Sequence, residues 1–343
     1  MRRAAELGGP AALVLATALL GLAVTSSLQT YFLDTLVKVA IVVGLYVFIG
    51  NSGVLSFGHI SFVALGAWTA GVLTVPATEK PAIMPGLAHF LLHAHVGNVA
   101  SLALAAAAGF VFAFLVGLPL MRLSGLAAGI ATFGVLEITN NVLRYYDKIG
   151  PGLNAFSSVP QTTGIWQAAI GALVCVALAF AYQRSRFGRM LRATREDPAA
   201  ASAAGISIYR QRLLAFALSG ALAGLAGGLY VHLLPIEIDS LYLDLTFLTL
   251  AMLVVGGSGS LLGAVVGALA IGGLDSFLSA SENGVDVVGI HLDLPTGTAV
   301  IVVGALMAIV LVLRPSGLSG GRELSLPRLR RRAQRPAATE PAA

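Results

Sequence analysis

The sequence predicts an all-α polytopic membrane protein of about ten transmembrane helices (eight to ten), and three observations carry that prediction. First, 57% of its 343 residues are hydrophobic and only 11% are charged, against roughly 25% charged in an average soluble domain. Second, apolar runs of near-spanning length recur from end to end. Third, the basic residues collect on alternate sides of those runs. With a mean hydropathy of +0.87, an ordinary soluble enzyme, a disordered regulator and a secreted disulfide scaffold are all excluded. The lone Cys175 permits no intrachain disulfide and no cysteine-based metal site.

A spanning helix needs about 20 mostly apolar residues, and candidates occur near 11–30, 35–50, 57–75, 99–120, 125–143, 163–182, 213–234, 245–257, 260–279 and 298–313. Arg2, Arg3 and the apolar stretch to Val24 resemble a signal peptide. The region around Thr25 is a poor cleavage site, and removing the segment would spoil the charge parity, so it is read as a retained span.

The second and third runs are joined by an uncharged link. Ser52, Ser56 and His59 lie at this break, where hydroxyls, a ring nitrogen and free helix-terminal groups could meet a carboxylate on a translocation path. The competing reading is that they cap and pack the turn. Before the fourth run, His89, His93 and His95 have no acid or cysteine nearby, so they read as loop histidines and no metal site is expected.

The fifth run contains Glu137, with Asn140 and Asn141 one helical turn further on. A carboxylate at membrane depth is costly unless it has a partner or faces a wet cavity. These three residues are therefore candidates for the path, the alternative being a structural node with Thr132 or Thr139. In the seventh run Gly220, Gly224 and Gly228 recur every four residues, and Gly263 and Gly267 repeat the spacing in the ninth. Such stripes admit close helix packing.

Seventeen of the 21 basic residues fall on one side when the N-terminus is placed in the cytoplasm. They are Arg2, Arg3, Arg122, seven arginines within 183–212 and the seven from Arg314 onward. Lys38, Lys80, Arg144 and Lys148 fall near the outer side, with Glu237, Asp239, Asp244, Glu282, Asp286 and Asp293. Both termini are thus expected in the cytoplasm. The basic excess is an orientation signal, and nucleic acid is not an expected partner. Residues 1–313 read as the membrane domain and 314–343 as a basic, disordered cytoplasmic tail that either touches anionic lipid or stays solvated.

No G-x-x-x-x-G-K-[ST] phosphate cradle occurs, and no soluble segment could form a nucleotide domain. The longest internal polar stretch is 183–212. Within it Asp197 is a good N-cap, Pro198 suits the first helical position and Gly205 is placed to end the helix. The chemistry specifies about two turns with an alanine-rich surface, which either enters a partner's groove or rests on the membrane.

Here a family resemblance enters. Ser185–Gly205 with Arg210–Gly228 (RQRLLAFALSGALAGLAGG) resembles the cytoplasmic loop and next span of branched-chain amino acid ABC transporter permeases of the LivM type. Gly50–Gly71, Leu118–Asn141 and Leu248–Leu274 resemble further segments of that family, in the family's order. Departures are Val54, where many members have Gln, and Gly150-Pro151-Gly152-Leu153-Asn154-Ala155 in place of Gly-Gly-Pro-Asn-Gly.

The resemblance implies an ABC importer permease fold in a bacterial inner membrane. It implies a second permease subunit, two cytoplasmic ATPases that bind the ATP, and an extracytoplasmic substrate-binding protein, with no cofactor in this chain. It also implies branched-chain amino acids, or similar small amino acids and amides, as substrates. The segment Asp197–Gly205 matches the family's ATPase-docking helix, which makes Arg186, Arg195, Glu196, Asp197, Pro198, Ala200, Ala201 and Gly205 the expected coupling residues. The rival class is an ion-coupled secondary transporter or channel, for which the membrane interior offers little beyond Glu137 and Asp275. Ser56, His59 and Glu137 form no recognisable catalytic motif, and no enzymatic activity is expected.

Overall fold

The computed structural model describes residues 2–282, 284–287, 290–292, 294–314 and 317–320. Within them the helices are α1 (Arg2–Leu22), α2 (Ser26–Ser52), α3 (His59–Thr74), α4 (Lys80–Ile83), α5 (His89–Leu92), α6 (Asn98–Leu120) and α7 (Gly125–Tyr145). Then follow α8 (Ile165–Arg184), α9 (Arg186–Glu196), α10 (Pro198–Ala203), α11 (Ile208–Val231), α12 (Leu243–Gly256), α13 (Leu261–Glu282) and α14 (Thr298–Leu313). A small antiparallel hairpin, β1 (Val285–Val287) and β2 (Ile290–Leu292), joins α13 to α14 with Val285 opposite Leu292. The arginine-rich part of the tail lies outside the described residues.

Among the described residues, seven segments are long and apolar enough to cross a membrane: Leu28–Ser52, Asn98–Leu120, Gly125–Tyr145, Ile165–Arg184, Ile208–Val231, Ile238–Gly256 and Leu261–Glu282. This is fewer than the eight to ten expected. The remaining three predicted positions hold α1, α3 and α14, whose described apolar stretches are Glu6–Leu22, His59–Thr74 and Thr298–Val310.

The first two boundaries are corrected. The first helix ends at Leu22, not residue 30, and the second starts at Ser26, not 35. Thr25 is extended (φ −64°, ψ 155°) and starts α2, a break at the polar residues Thr25-Ser26-Ser27 inside the first predicted run. Lys38, expected near the outer side, therefore lies about 18 Å inside α2 at 1.5 Å per residue.

Two helices organise the core. Every residue of α2 from Leu33 to Ser52 is buried, which explains why its sequence shows no polar stripe. Helix α11 packs on α6 and α3 at backbone contact. A Cβ on Gly220 would lie 2.3 Å from the Ala113 side chain, one on Gly224 2.4 Å from the Ala105 carbonyl, and one on Gly227 2.0 Å from the Val63 carbonyl. On its α6 side Gly228 meets Leu102 and Ala105. Between α12 and α13, Gly263 and Gly267 play the same part, a Cβ on Gly267 falling 2.0 Å from the Met252 carbonyl. By contrast α6, α7 and α14 leave large apolar side chains exposed, among them Phe110, Ile130 and Val300.

Candidate translocation and coupling sites

The polar loop between α8 and α11 is two helices, and α9 was not anticipated. Ser185 starts α9, its hydroxyl accepting from the Gly188 N–H at 3.2 Å. The Asp197 carboxylate then accepts from the backbone N–H groups of Ala199 and Ala200, both at 2.9 Å, and Pro198 occupies the first turn of α10. Gly205 closes it in the left-handed region (φ 78°), with the Ile206 N–H returned to the Ala201 carbonyl at 3.0 Å. Ala200, Ser202, Ala203 and Ala204 are exposed and Ala201 is buried against the protein. The result is a small-residue surface, ordered by its own caps and facing outward.

Beneath it, α9 grips the end of α2. Arg192 donates to Asn51 Oδ1 (2.8 Å) and Gln183 Oε1 (3.0 Å), and Arg195 donates to the Gly50 carbonyl (2.6 Å). Arg186 and Glu196 are exposed.

Glu137 is exposed on α7. Asn141 donates to its Oε1 at 3.0 Å and the Tyr242 hydroxyl donates to its Oε2. Asn140 does not join them. It is buried, with its amide nitrogen unpartnered among the described residues, because residues three and four positions on from Glu137 flank that carboxylate on different sides, and the side of Asn140 is the packed one. Thr132 is likewise no partner of Glu137: its hydroxyl accepts from the Phe57 N–H at 3.1 Å. At the same end of α7 as Tyr145, Arg144 pairs with Asp239 at 2.6 Å.

Ser52, Ser56 and His59 are all buried. The Ser52 hydroxyl accepts from the Val54 N–H at 3.1 Å. One His59 ring nitrogen lies 2.8 Å from the Ser56 hydroxyl and the other 2.9 Å from that of Ser219, with Phe48, Phe62 and Phe216 around the ring. Both nitrogens are thus engaged inside the chain, tying the start of α3 to α11. In the loop beyond α3, Lys80 donates to the carbonyls of Leu91 (2.9 Å) and Ala94, and desolvation holds its pKa below the ordinary lysine range. His89 and His93 stack edge to face with centroids 5.4 Å apart.

Lys38 and Asp275 stand apart in the sequence, and the fold brings them together in a cluster that the sequence does not predict. Lys38 sits between Asp34 (2.7 Å) and Asp275 (2.8 Å), and Ser276 donates to Asp34 at 3.1 Å. Two cavities of about 410 and 430 Å³ flank it, sharing Lys38, Tyr230 and Asp275 in their walls. Asp34 and Lys38 are four residues apart, a pair spacing on one helix face; Asp275 is remote in sequence.

Comparison with known proteins places these sites in context. A family described as the permease component of the branched-chain amino acid transport system matches residues 27–311. The high-affinity branched-chain amino acid transport system permease protein LivM of Salmonella typhimurium is 26% identical over 83% of this chain and 68% of its own length. LivM of Escherichia coli is 27% identical with the same coverage. A probable LivH of Methanocaldococcus jannaschii is 31% identical over 43% of this chain and 45% of its own. No solved structure matches.

Proposed function

The chain belongs to the family of branched-chain amino acid transport system permease components, and we propose from that premise that it is one permease subunit of an ABC importer. Its substrates are branched-chain amino acids or similar small amino acids and amides; the printed names of the LivM relatives support that class. It works in a bacterial inner membrane with both termini cytoplasmic. A second permease stands beside it, an extracytoplasmic binding protein delivers the substrate, and two cytoplasmic ATPases bind and hydrolyse the ATP.

The observation that carries this reading is α10. A six-residue helix capped by Asp197 and closed by Gly205 presents alanines to the exterior, in a chain that has no phosphate-binding loop of its own. Small side chains permit close approach of a partner's backbone, so the surface suits a protein groove. Glu137, Asn141 and Tyr242 then line the path. In the low-dielectric interior their charge and hydrogen-bonding groups face a substrate's ammonium group more favourably than lipid. Ser52, Ser56 and His59 hold the turn that ends beside this path.

Purification of the tagged chain from gently solubilised membranes, followed by mass spectrometry, tests the reading. Recovery of an ATPase and a second permease is expected. Ala200→Trp, on an exposed position, should release the ATPase while leaving the second permease bound. A chain recovered without any ATPase overturns the importer reading. One observation favours an ion-coupled carrier instead: the Asp34–Lys38–Asp275 cluster beside two cavities. Uptake by the purified chain driven by an ion gradient, with no ATPase present, would select that alternative.

A further inference from the structure

Helix α10 runs directly into α11, so the shortest covalent route from a docked ATPase to the membrane is α11 itself. That route is stiff. Gly220, Gly224 and Gly227 hold α11 against α6 and α3 at separations where a single methyl would collide with backbone, and a core packed this closely does not deform gradually.

A second route leaves from α9. Arg195 donates to the Gly50 carbonyl, one of the unpaired carbonyls at the end of α2. Its aliphatic stem also covers Gly53, where a Cβ would sit 3.0 Å from Arg195 Cγ. Arg192 anchors one turn earlier on Asn51 and Gln183, and the Tyr46 hydroxyl donates to the same Gln183 oxygen at 2.7 Å. Gly53, in the left-handed region (φ 71°), starts the link to α3. That link lies on α7: the Phe57 N–H donates to Thr132 Oγ1, and a Cβ on Gly58 would fall 2.4 Å from the Thr132 carbonyl. Thr132 is five residues, about 7.5 Å at 1.5 Å per residue, from Glu137 on a helix that leaves much of its surface unpacked.

We infer that Arg192 and Arg195 are positioning residues that transmit movement of the docking helix across to α7, through the end of α2 and the 53–58 link, rather than along α11. The buried α2 is the fulcrum. The two arginines couple α9 to the link, and the link moves the helix that carries Glu137. This inference rests on α10 being the ATPase-docking element. Contiguity alone is not coupling, so the test measures coupling directly.

The test uses the whole complex, with binding protein, in proteoliposomes. A cysteine at exposed Val142 on α7 reports through its rate of reaction with a membrane-impermeant maleimide; Cys175 is buried and does not compete. In Arg195→Gln the ATPases should remain bound and ATP hydrolysis should continue. Uptake per ATP hydrolysed should fall roughly tenfold, within the usual range of coupling energies, and the ATP-dependent change in labelling at position 142 should vanish. Arg195→Lys, which keeps a donor for the Gly50 carbonyl, should restore both. Thr132→Val should reproduce the defect, and adding it to Arg195→Gln should worsen nothing, as for two parts of one linkage. Unchanged uptake per ATP in Arg195→Gln overturns the inference. So does loss of the ATPases from that variant, which would make Arg195 a docking contact. Failure of the wild-type chain to retain ATPases would instead overturn the docking reading on which the inference stands.

Discussion

Lys38 is the residue whose role depends most on its surroundings. One ammonium group serves two carboxylates, Asp34 and Asp275, with its side chain 7% exposed. Removing one partner of a buried ionic group leaves the others uncompensated and costs about 3–5 kcal/mol, whereas replacing the whole group with neutral residues is often tolerated. Lys38→Met is therefore expected to lower the thermal unfolding temperature of the solubilised chain sharply. The triple variant with Asp34→Asn and Asp275→Asn should recover most of the loss. Equal stability of Lys38→Met and wild type would mean that the carboxylates need no counter-charge. At the Glu137 site the same lesson appears in smaller form. Asn141 was legible as its neighbour from helical spacing; Tyr242, over a hundred residues away, was not.

At the scale of elements, packing on α11 makes a sharp comparison possible. A methyl at Gly224 meets the Ala105 carbonyl at 2.4 Å, while one at Gly134 on α7 meets nothing within 4 Å. Overpacking of this kind costs roughly 1–3 kcal/mol. Gly224→Ala should thus lose folded protein in a detergent-stability assay and Gly134→Ala should not. If both behave alike, the α11–α6 contact is looser than its geometry. The stripe itself was visible in the sequence because its period is local. So was α10, whose cap, first-turn proline and closing glycine act over nine residues. Helix α9 is not among the elements the sequence predicts; the partners that fix its arginines, Gly50, Asn51 and Gln183, come from other elements. The break between α1 and α2 falls at Thr25-Ser26-Ser27, three polar residues that a window of spanning length averages into the apolar flanks on either side.

At the scale of the whole molecule, α7 sets the main constraint. It carries an exposed carboxylate, an exposed asparagine and, on the same stretch, Ile138 at 64% exposure. Lipid would leave Glu137 with only Asn141 and Tyr242 to offset its charge, so this face belongs against protein or a wet path. Helix α14 exposes only apolar residues at its free face, such as Val312 at 81%, and suits lipid. A lipid-soluble photoactivated carbene probe, which inserts without needing an ionised thiol, should therefore label position 138 weakly and position 312 strongly in the assembled complex. Cross-linking from position 138 should capture the second permease, and the mass of the product distinguishes a copy of this chain from a homologue. Equal reaction at both positions would put α7 against lipid, which would remove Glu137 from the path and require the two permeases to meet elsewhere.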